Sequence, residues 1–418
     1  MKKIKFLSVL TALLVSVSLV LGGCDQSGND QQGDQSGEQG GDSSQQGSEQ
    51  EITPSDAPLK PEGVDYIREG MTTMQIVHDM GQGINLGNTL EACGTWISPT
   101  GGVTGYEVAW GSPVITQEMI QGYANLGFGV LRIPVAWSNL MAEDYTISQD
   151  LIDRVKQITD WTLESGMYAI VNIHWDSGWW ENFPTDTEEC MKKYTRVWEQ
   201  LCEAFKDYGD KLMFESLNEE GGWNSVWNQY GSSTVGKSDS YGLLNDINQK
   251  FVDIVRASGG NNEGRHLLIA GYNTDITLTC DELFKMPSDP AGRCAVSVHY
   301  YTPSTFCILE KDESWGKAKA TWGDEKDIEE LQKYMGMLKT TFIDKGIPVI
   351  IGEYGVAQKN KEREQIENFM VTVSEAIYDI GACPVIWDVQ RAFYDRVIQQ
   401  FLFPDMLEKI MAAKESHA

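Results

Sequence analysis

The chain has 418 residues, 41% of them hydrophobic, enough for one large domain with a substantial core. Lys and Arg number 33 against 61 Asp and Glu, a formal net charge of −28. That surplus argues against nucleic acid and anionic membrane surfaces as partners, since both require a basic face. Eight cysteines, at positions 24, 93, 190, 202, 280, 294, 307 and 383, form no CxxC pair and no zinc spacing. No metal or cofactor is therefore expected, and buried free thiols are the preferred state for most of them.

At the N-terminus Lys2, Lys3 and Lys5 precede an apolar run from Phe6 to Leu21, the layout of a signal peptide rather than a spanning helix. The run closes Leu21-Gly22-Gly23-Cys24, which resembles a bacterial lipobox. The resemblance implies removal of residues 1–23, lipidation of Cys24, and an extracellular protein that touches the bacterial envelope only through this anchor. Residues 25–56 carry eight acidic residues, no basic ones and Ile52 as the sole large aliphatic. Such a composition cannot offset ordering entropy, so 24–58 is expected to be a disordered tether and 59–418 the folded domain.

Helical stripes then alternate with short apolar strands. Ser148 can cap a helix carrying Leu151, Val155, Ile158 and Thr162 on one face, closed by Gly166. Ile328, Leu331, Met335, Leu338 and Phe342 form a second stripe closed by Gly346, and Ile366, Met370, Val373 and Ile377 a third closed by Gly381. Strands are expected near 83–87, 129–134, 168–174, 212–218, 266–271, 295–301, 348–353 and 383–388. Eight apolar strands separated by amphipathic helices indicate a parallel sheet closed into a (β/α)8 TIM barrel. No nucleotide-binding glycine motif and no internal repeat accompanies them.

A barrel of this kind gathers its active site at the C-terminal ends of its strands. Polar residues stand at seven of those ends: Asn85 and Asn88, Arg132, Asn172 with His174-Trp175-Asp176, Asn218-Glu219-Glu220, His299-Tyr300-Tyr301, Glu353, and Trp387-Asp388. A lone polar residue is usually a cap or a loop hydrogen bond, but seven loaded strand ends would bury too much unpaired charge. No GxSxG elbow and no HExxH is present. What remains is a pair of glutamates on strands 4 and 7 among aromatic residues, the requirement of glycoside hydrolysis.

Gly83-Ile84-Asn85-Leu86-Gly87-Asn88-Thr89-Leu90-Glu91, Arg132-Ile133-Pro134-Val135, Phe214-Glu215-Ser216-Leu217-Asn218-Glu219, His299-Tyr300-Tyr301 and Ile351-Gly352-Glu353-Tyr354-Gly355 resemble glycoside hydrolase family 5. They stand in the family's order across 65–400, nearest to its endoglucanase and xyloglucanase branch. The resemblance implies that Glu219 is the general acid/base and Glu353 the nucleophile. It further implies that Arg132 and Tyr301 hold the nucleophile and that His299 sits against the acid/base. Asn218 would bind the sugar 2-hydroxyl, His174 another hydroxyl at −1, and Trp387 would floor that subsite, with Asn88 and Trp175 also in the substrate-binding set. Two departures bear on specificity: Trp175 replaces a second histidine, and Val389-Gln390 follow Trp387-Asp388 where Asn-Gly is usual. Glu220, where the family commonly has Pro, is expected to be harmless.

Trp175, Trp179, Trp180, Trp223 and Trp227 follow the rims of strands 3 and 4 and are expected to be platforms for sugar rings rather than packing residues. The expected activity is retaining endo-β-1,4-glucanase on a polysaccharide substrate, by a monomer. Xyloglucan, mixed-linkage glucan or mannan on the same machinery are the alternatives. A non-catalytic glycan-binding lipoprotein is disfavoured because both carboxylates are intact.

Overall fold

The computed structural model describes residues 60–417, so the signal run, Cys24 and the tether lie outside the described residues. A compact unit runs from Pro61 to Ala418. All eight expected strands form: β1 (Gly83–Asn85), β2 (Val130–Ile133), β3 (Tyr168–Asn172), β4 (Leu212–Glu215), β5 (Leu267–Ala270), β6 (Cys294–Tyr300), β7 (Val349–Tyr354) and β8 (Cys383–Ile386). Each lies parallel to the next, and pairing of Gly83 with Val385 closes the barrel between β1 and β8.

The three helical stripes become helices Gln149–Glu164, Glu325–Thr341 and Arg363–Asp379, with their apolar faces buried. Gly166, Gly346 and Gly381 follow them at φ 93°, 80° and 77°, a left-handed conformation that costs glycine little. Ser148 does occupy the N-cap position, but its side chain makes no capping hydrogen bond, contrary to expectation. The seven cysteines among the described residues are free thiols, five of them buried.

Strand alternation sorts the side chains into two populations. Leu131, Ile133, Ala169, Val171, Phe214, Val296, Val298 and Ile351 point outward into the core shared with the helices. Val130, Tyr168, Ile170, Met213, Leu268, Ala295, Ile350 and Val385 form a separate cluster inside the barrel. Helix Thr73–Met80 adds Ile76, Val77 and Met80 to that cluster, and its start is fixed by a capping box between Thr72 and Gln75. Two residues further along several strands the interior turns polar, with Asn85, Arg132, Asn172, Glu215 and Ser297 all fully buried. An apolar plug thus supports a charged layer at the end where the sequence places the site.

Candidate active site

Arg132 organises the charged layer. Its Nε donates to Glu215 Oε2 at 2.7 Å, Nη1 to Glu353 Oε1 at 2.8 Å and to Asn85 Oδ1 at 3.0 Å, and Nη2 to Asn218 Oδ1 at 2.8 Å. A buried guanidinium would be costly alone, but two carboxylates beside it keep it charged. Glu215 in turn accepts from Ser297 Oγ at 2.8 Å and Asn172 Nδ2 at 3.0 Å. It stands in the strand-4 motif, four residues before Glu219, yet no role was foreseen for it. Its signal was parity, since Arg132 and Glu215 both fall on inward positions of their strands.

Glu353 is 5% exposed. Besides Arg132 it accepts from the Tyr301 hydroxyl at 2.9 Å. Burial, with Glu219 nearby, holds its carboxyl above the ordinary range, although His299, Arg132 and the Tyr301 hydrogen bond each favour the anion. A register shift between β6 and β7 brings His299 abreast of Glu353. A Cβ on Gly352 would lie 3.0 Å from Ser297 Oγ and 3.2 Å from His299 Nε2, so a glycine before Glu353 lets the strands close at that point.

Glu219 is held differently. Its side chain is 46% exposed and, among the described residues, is hydrogen-bonded to His299, whose Nδ1 lies 2.7 Å from Glu219 Oε1 and 3.7 Å from Glu353 Oε2. Carboxylate oxygens of Glu219 and Glu353 and a ring nitrogen of His299 all lie within 4.8 Å of one another. His174 stacks on Trp387 with ring centroids 5.7 Å apart and planes 5° from parallel. Burial, with Arg132 and His299 nearby, holds His174 well below the ordinary histidine range and therefore neutral. Trp387 rests on the backbone of Gly87, where a Cβ would come within 3.0 Å of the indole. Asn88 follows at φ 56°, partly exposed, its side chain making no hydrogen bond among the described residues.

The expected residues thus converge, but most of the tryptophan platforms do not. Trp180, Trp223 and Trp227 are 9%, 4% and 7% exposed and belong to the core. Their indole N–H groups donate to the carbonyls of Trp175, Trp180 and Ser233, which fixes the loops internally. Trp179 is half-buried with Lys193 Nζ 4.5 Å from its ring centroid, so a cation already occupies one face. Trp175 is likewise only partly exposed and packs against the core, with no cation over its ring among the described residues. The exposed rings on loops after β1 and β4 are Trp96 (65%) and Tyr230 (66%), which sequence reasoning passed over.

Two further differences concern charge. Asp388 is buried and accepts from the amides of Phe393 and Tyr394, so the unusual residues after Trp387 fold as a turn on its carboxylate. Glu220 is not a harmless surface substitution. It is fully buried, and neither carboxyl oxygen has a hydrogen-bond partner among the described residues.

A closed barrel with paired carboxylates at the ends of strands 4 and 7, one clamped by Arg and Tyr and the other by His, defines a class of protein: the retaining-type (β/α)8 glycoside hydrolases. Residues 90–392 match the family model "Cellulase (glycosyl hydrolase family 5)". The chain belongs to glycosyl hydrolase family 5. It is 34% identical over 354 residues to the xyloglucan-specific endo-β-1,4-glucanase BoGH5A of Bacteroides ovatus, covering 79% of this chain and 68% of that protein. It is 35% identical over 332 residues to endoglucanase A of Ruminococcus albus, covering 78% and 86%. Among solved structures, a GH5-4 broad specificity endoglucanase from an uncultured bovine rumen ciliate superposes with a TM-score of 0.75 at 33% identity, covering 83% of this chain and 99% of that one.

Proposed function

We propose that the protein is a retaining endo-β-1,4-glucanase in which Glu353 is the nucleophile and Glu219 the general acid/base. The observation that carries this is the pair's spacing and asymmetry. A carboxylate oxygen of each lies within 4.8 Å of one of the other's, which fits the roughly 5–5.5 Å carboxyl separation of retaining enzymes better than the ~6.5–9.5 Å of inverting ones. Arg132 and Tyr301 favour an anion at Glu353, as a nucleophile requires, and the more exposed Glu219, backed by His299, stands where a glycosidic oxygen can reach it. Glu353 attacks the anomeric carbon as the glycosidic C–O bond breaks and Glu219 protonates the departing oxygen. Water then attacks the glycosyl ester, Glu219 takes its proton, and Glu353 leaves as carboxylate with the product in the β configuration.

Asn218, fixed by Arg132, addresses the 2-hydroxyl, His174 a neighbouring hydroxyl, and Trp387 with Asn88 frames the same sugar ring. Trp175, in place of a second histidine, offers apolar surface where a hydrogen bond is usual and so favours tolerance for branched or mixed-linkage β-glucans. A structural relative named for broad specificity supports that breadth. The test is kcat/KM on carboxymethyl cellulose, barley β-glucan, xyloglucan and glucomannan, with NMR of the first-formed product. Internal cleavage of β-glucans with an initial β-anomer is expected, and an initial α-anomer or a preference for pure mannan overturns the assignment.

We also propose that Cys24 carries a lipid anchor, supported by the apolar run and the Leu21-Gly22-Gly23-Cys24 sequence. Cys24→Ser should move activity from the membrane fraction to the soluble one or leave the chain unprocessed. Unchanged processing and fractionation would refute it.

A further inference from the structure

Beside the −1 position lies a carboxyl to which the proposed mechanism gives no task. Glu91 is 1% exposed and cannot reach a bound sugar. Its two oxygens grip consecutive amides of the loop after β1: Oε1 accepts from the Asn88 N–H and Oε2 from the Thr89 N–H at 2.9 Å. Asn88 is held there at φ 56°, a conformation that non-glycine residues adopt at a cost, with asparagine the most tolerant. The other side of the turn is fastened by Arg396, itself fully buried, which donates to Thr89 Oγ1 at 2.9 Å and to the Gly87 carbonyl at 3.0 Å. Gly87 N–H donates to the Asp388 carbonyl at 3.0 Å, next to Trp387. Turn and indole floor are therefore one assembly, with Glu91 the one carboxylate among the described residues bonded to the amides of Asn88 and Thr89.

We propose that Glu91 is a positioning residue for substrate binding, holding Asn88 in the left-handed turn beside Trp387 so that sugar affinity there depends on the charge of a carboxyl that never touches substrate. This rests on the assignment of Asn88 and Trp387 to the sugar-binding site. Burial pushes the Glu91 carboxyl up to about 7, against the pull of the Thr89 and Asn88 amides and of Arg396. The charged and titratable groups facing it are Arg396, from the loop after β8, and the Cys93 thiol on its own loop. Above that pH both amides have an anionic acceptor. Below it a proton occupies one oxygen, and one amide loses its charge-assisted bond. Affinity for the sugar should accordingly rise as pH increases through about 7.

The experiment is a double-mutant cycle on the full chain, Asn88→Ala against Glu91→Gln, with KM and kcat on cellotetraose. It begins by confirming that the wild type cleaves β-glucan, because failure there removes the parent assignment rather than this inference. Glu91→Gln should raise KM about tenfold with kcat changed much less, as loss of one charge-assisted bond implies. Asn88→Ala should produce a similar rise, and the double variant no more than either single one, because both act through one side chain. Cellotriose titrations in a Glu353→Gln background should show the affinity change near pH 7, and Asn88→Ala should abolish it. That second measurement stands even where Glu91→Gln fails to fold. Additive effects, or a loss of kcat and Tm with KM unchanged, would show that Glu91 merely supports the fold. A pH-independent affinity would equally overturn the proposal.

Discussion

At the end of β7 a glutamate is 5% exposed and held by a guanidinium and a phenol, whereas at the end of β4 another has its side chain 46% exposed and is held by one imidazole. The two strands present the same residue type at the same end of the same barrel, yet in opposite surroundings. Arg132 reaches Glu353 because the register shifts of β7 after Ile351 break strict alternation and bring Glu353 into the buried polar layer. Glu219 lies beyond the last hydrogen-bonded residues of β4, where solvent and substrate reach it. Role here follows environment more than identity, the general rule for paired carboxylates.

Exchanging charge at either end should break the comparison unequally. Glu353→Gln removes the attacking group, and turnover on every substrate should fall by about 10⁴-fold or more, read by kcat on cellotetraose and on an activated aryl cellobioside. Comparable residual activity on the two substrates with normal KM would fit, whereas near-wild-type turnover would remove Glu353 from the mechanism.

Glu219→Ala should cost about 10²–10⁴-fold on cellotetraose but less on an aryl cellobioside with a good leaving group, which needs little protonation. Added azide should restore part of that activity by replacing the general-base step. Equal losses on both substrates, unmoved by azide, would contradict an acid/base role.

The layer beneath the pair sharpens the contrast. Glu215→Gln leaves the fully buried Arg132 with one carboxylate fewer, and breaking such a pair costs about 3–5 kcal/mol. Chemical denaturation should register that loss, with activity falling because the anchor of Glu353 shifts. A variant as stable as the wild type would mean that Glu353 and Asn218 suffice to hold the guanidinium.

The smallest effect belongs to Glu220, one residue past Glu219. Burial, with Glu219 and Glu215 nearby, pushes its carboxyl well above the usual range, so the folded protein keeps a proton that the unfolded chain loses above about pH 4.3. Its contribution to stability therefore falls as pH rises beyond that value. Glu220→Gln removes the dependence, and the Tm difference in favour of the variant should grow between pH 4 and pH 8 by about 2 °C or more. A constant difference across that range would show that Glu220 does not take up a proton on folding.

The strands, the helical stripes and the convergence of Arg132, Asn218, Glu219, His299, Tyr301 and Glu353 were all legible in the sequence. Periodicity reports which face of an element is buried, and the C-terminal ends of barrel strands are the one place where polar residues can gather without stranding charge. What covers a given side chain is a different matter, because it is decided by segments far away in the chain. Trp227 is enclosed by Tyr241 and Tyr272, and Trp179 lies under Lys193, so neither offers the free face that its position in a rim loop suggested. Trp96 and Tyr230 stay exposed for want of such neighbours. The partnership of Arg132 with Glu215, the turn folded on Asp388 and the isolation of Glu220 likewise depend on which groups arrive alongside once the barrel closes. Local pattern settles where a residue points, and only tertiary packing settles what it meets there.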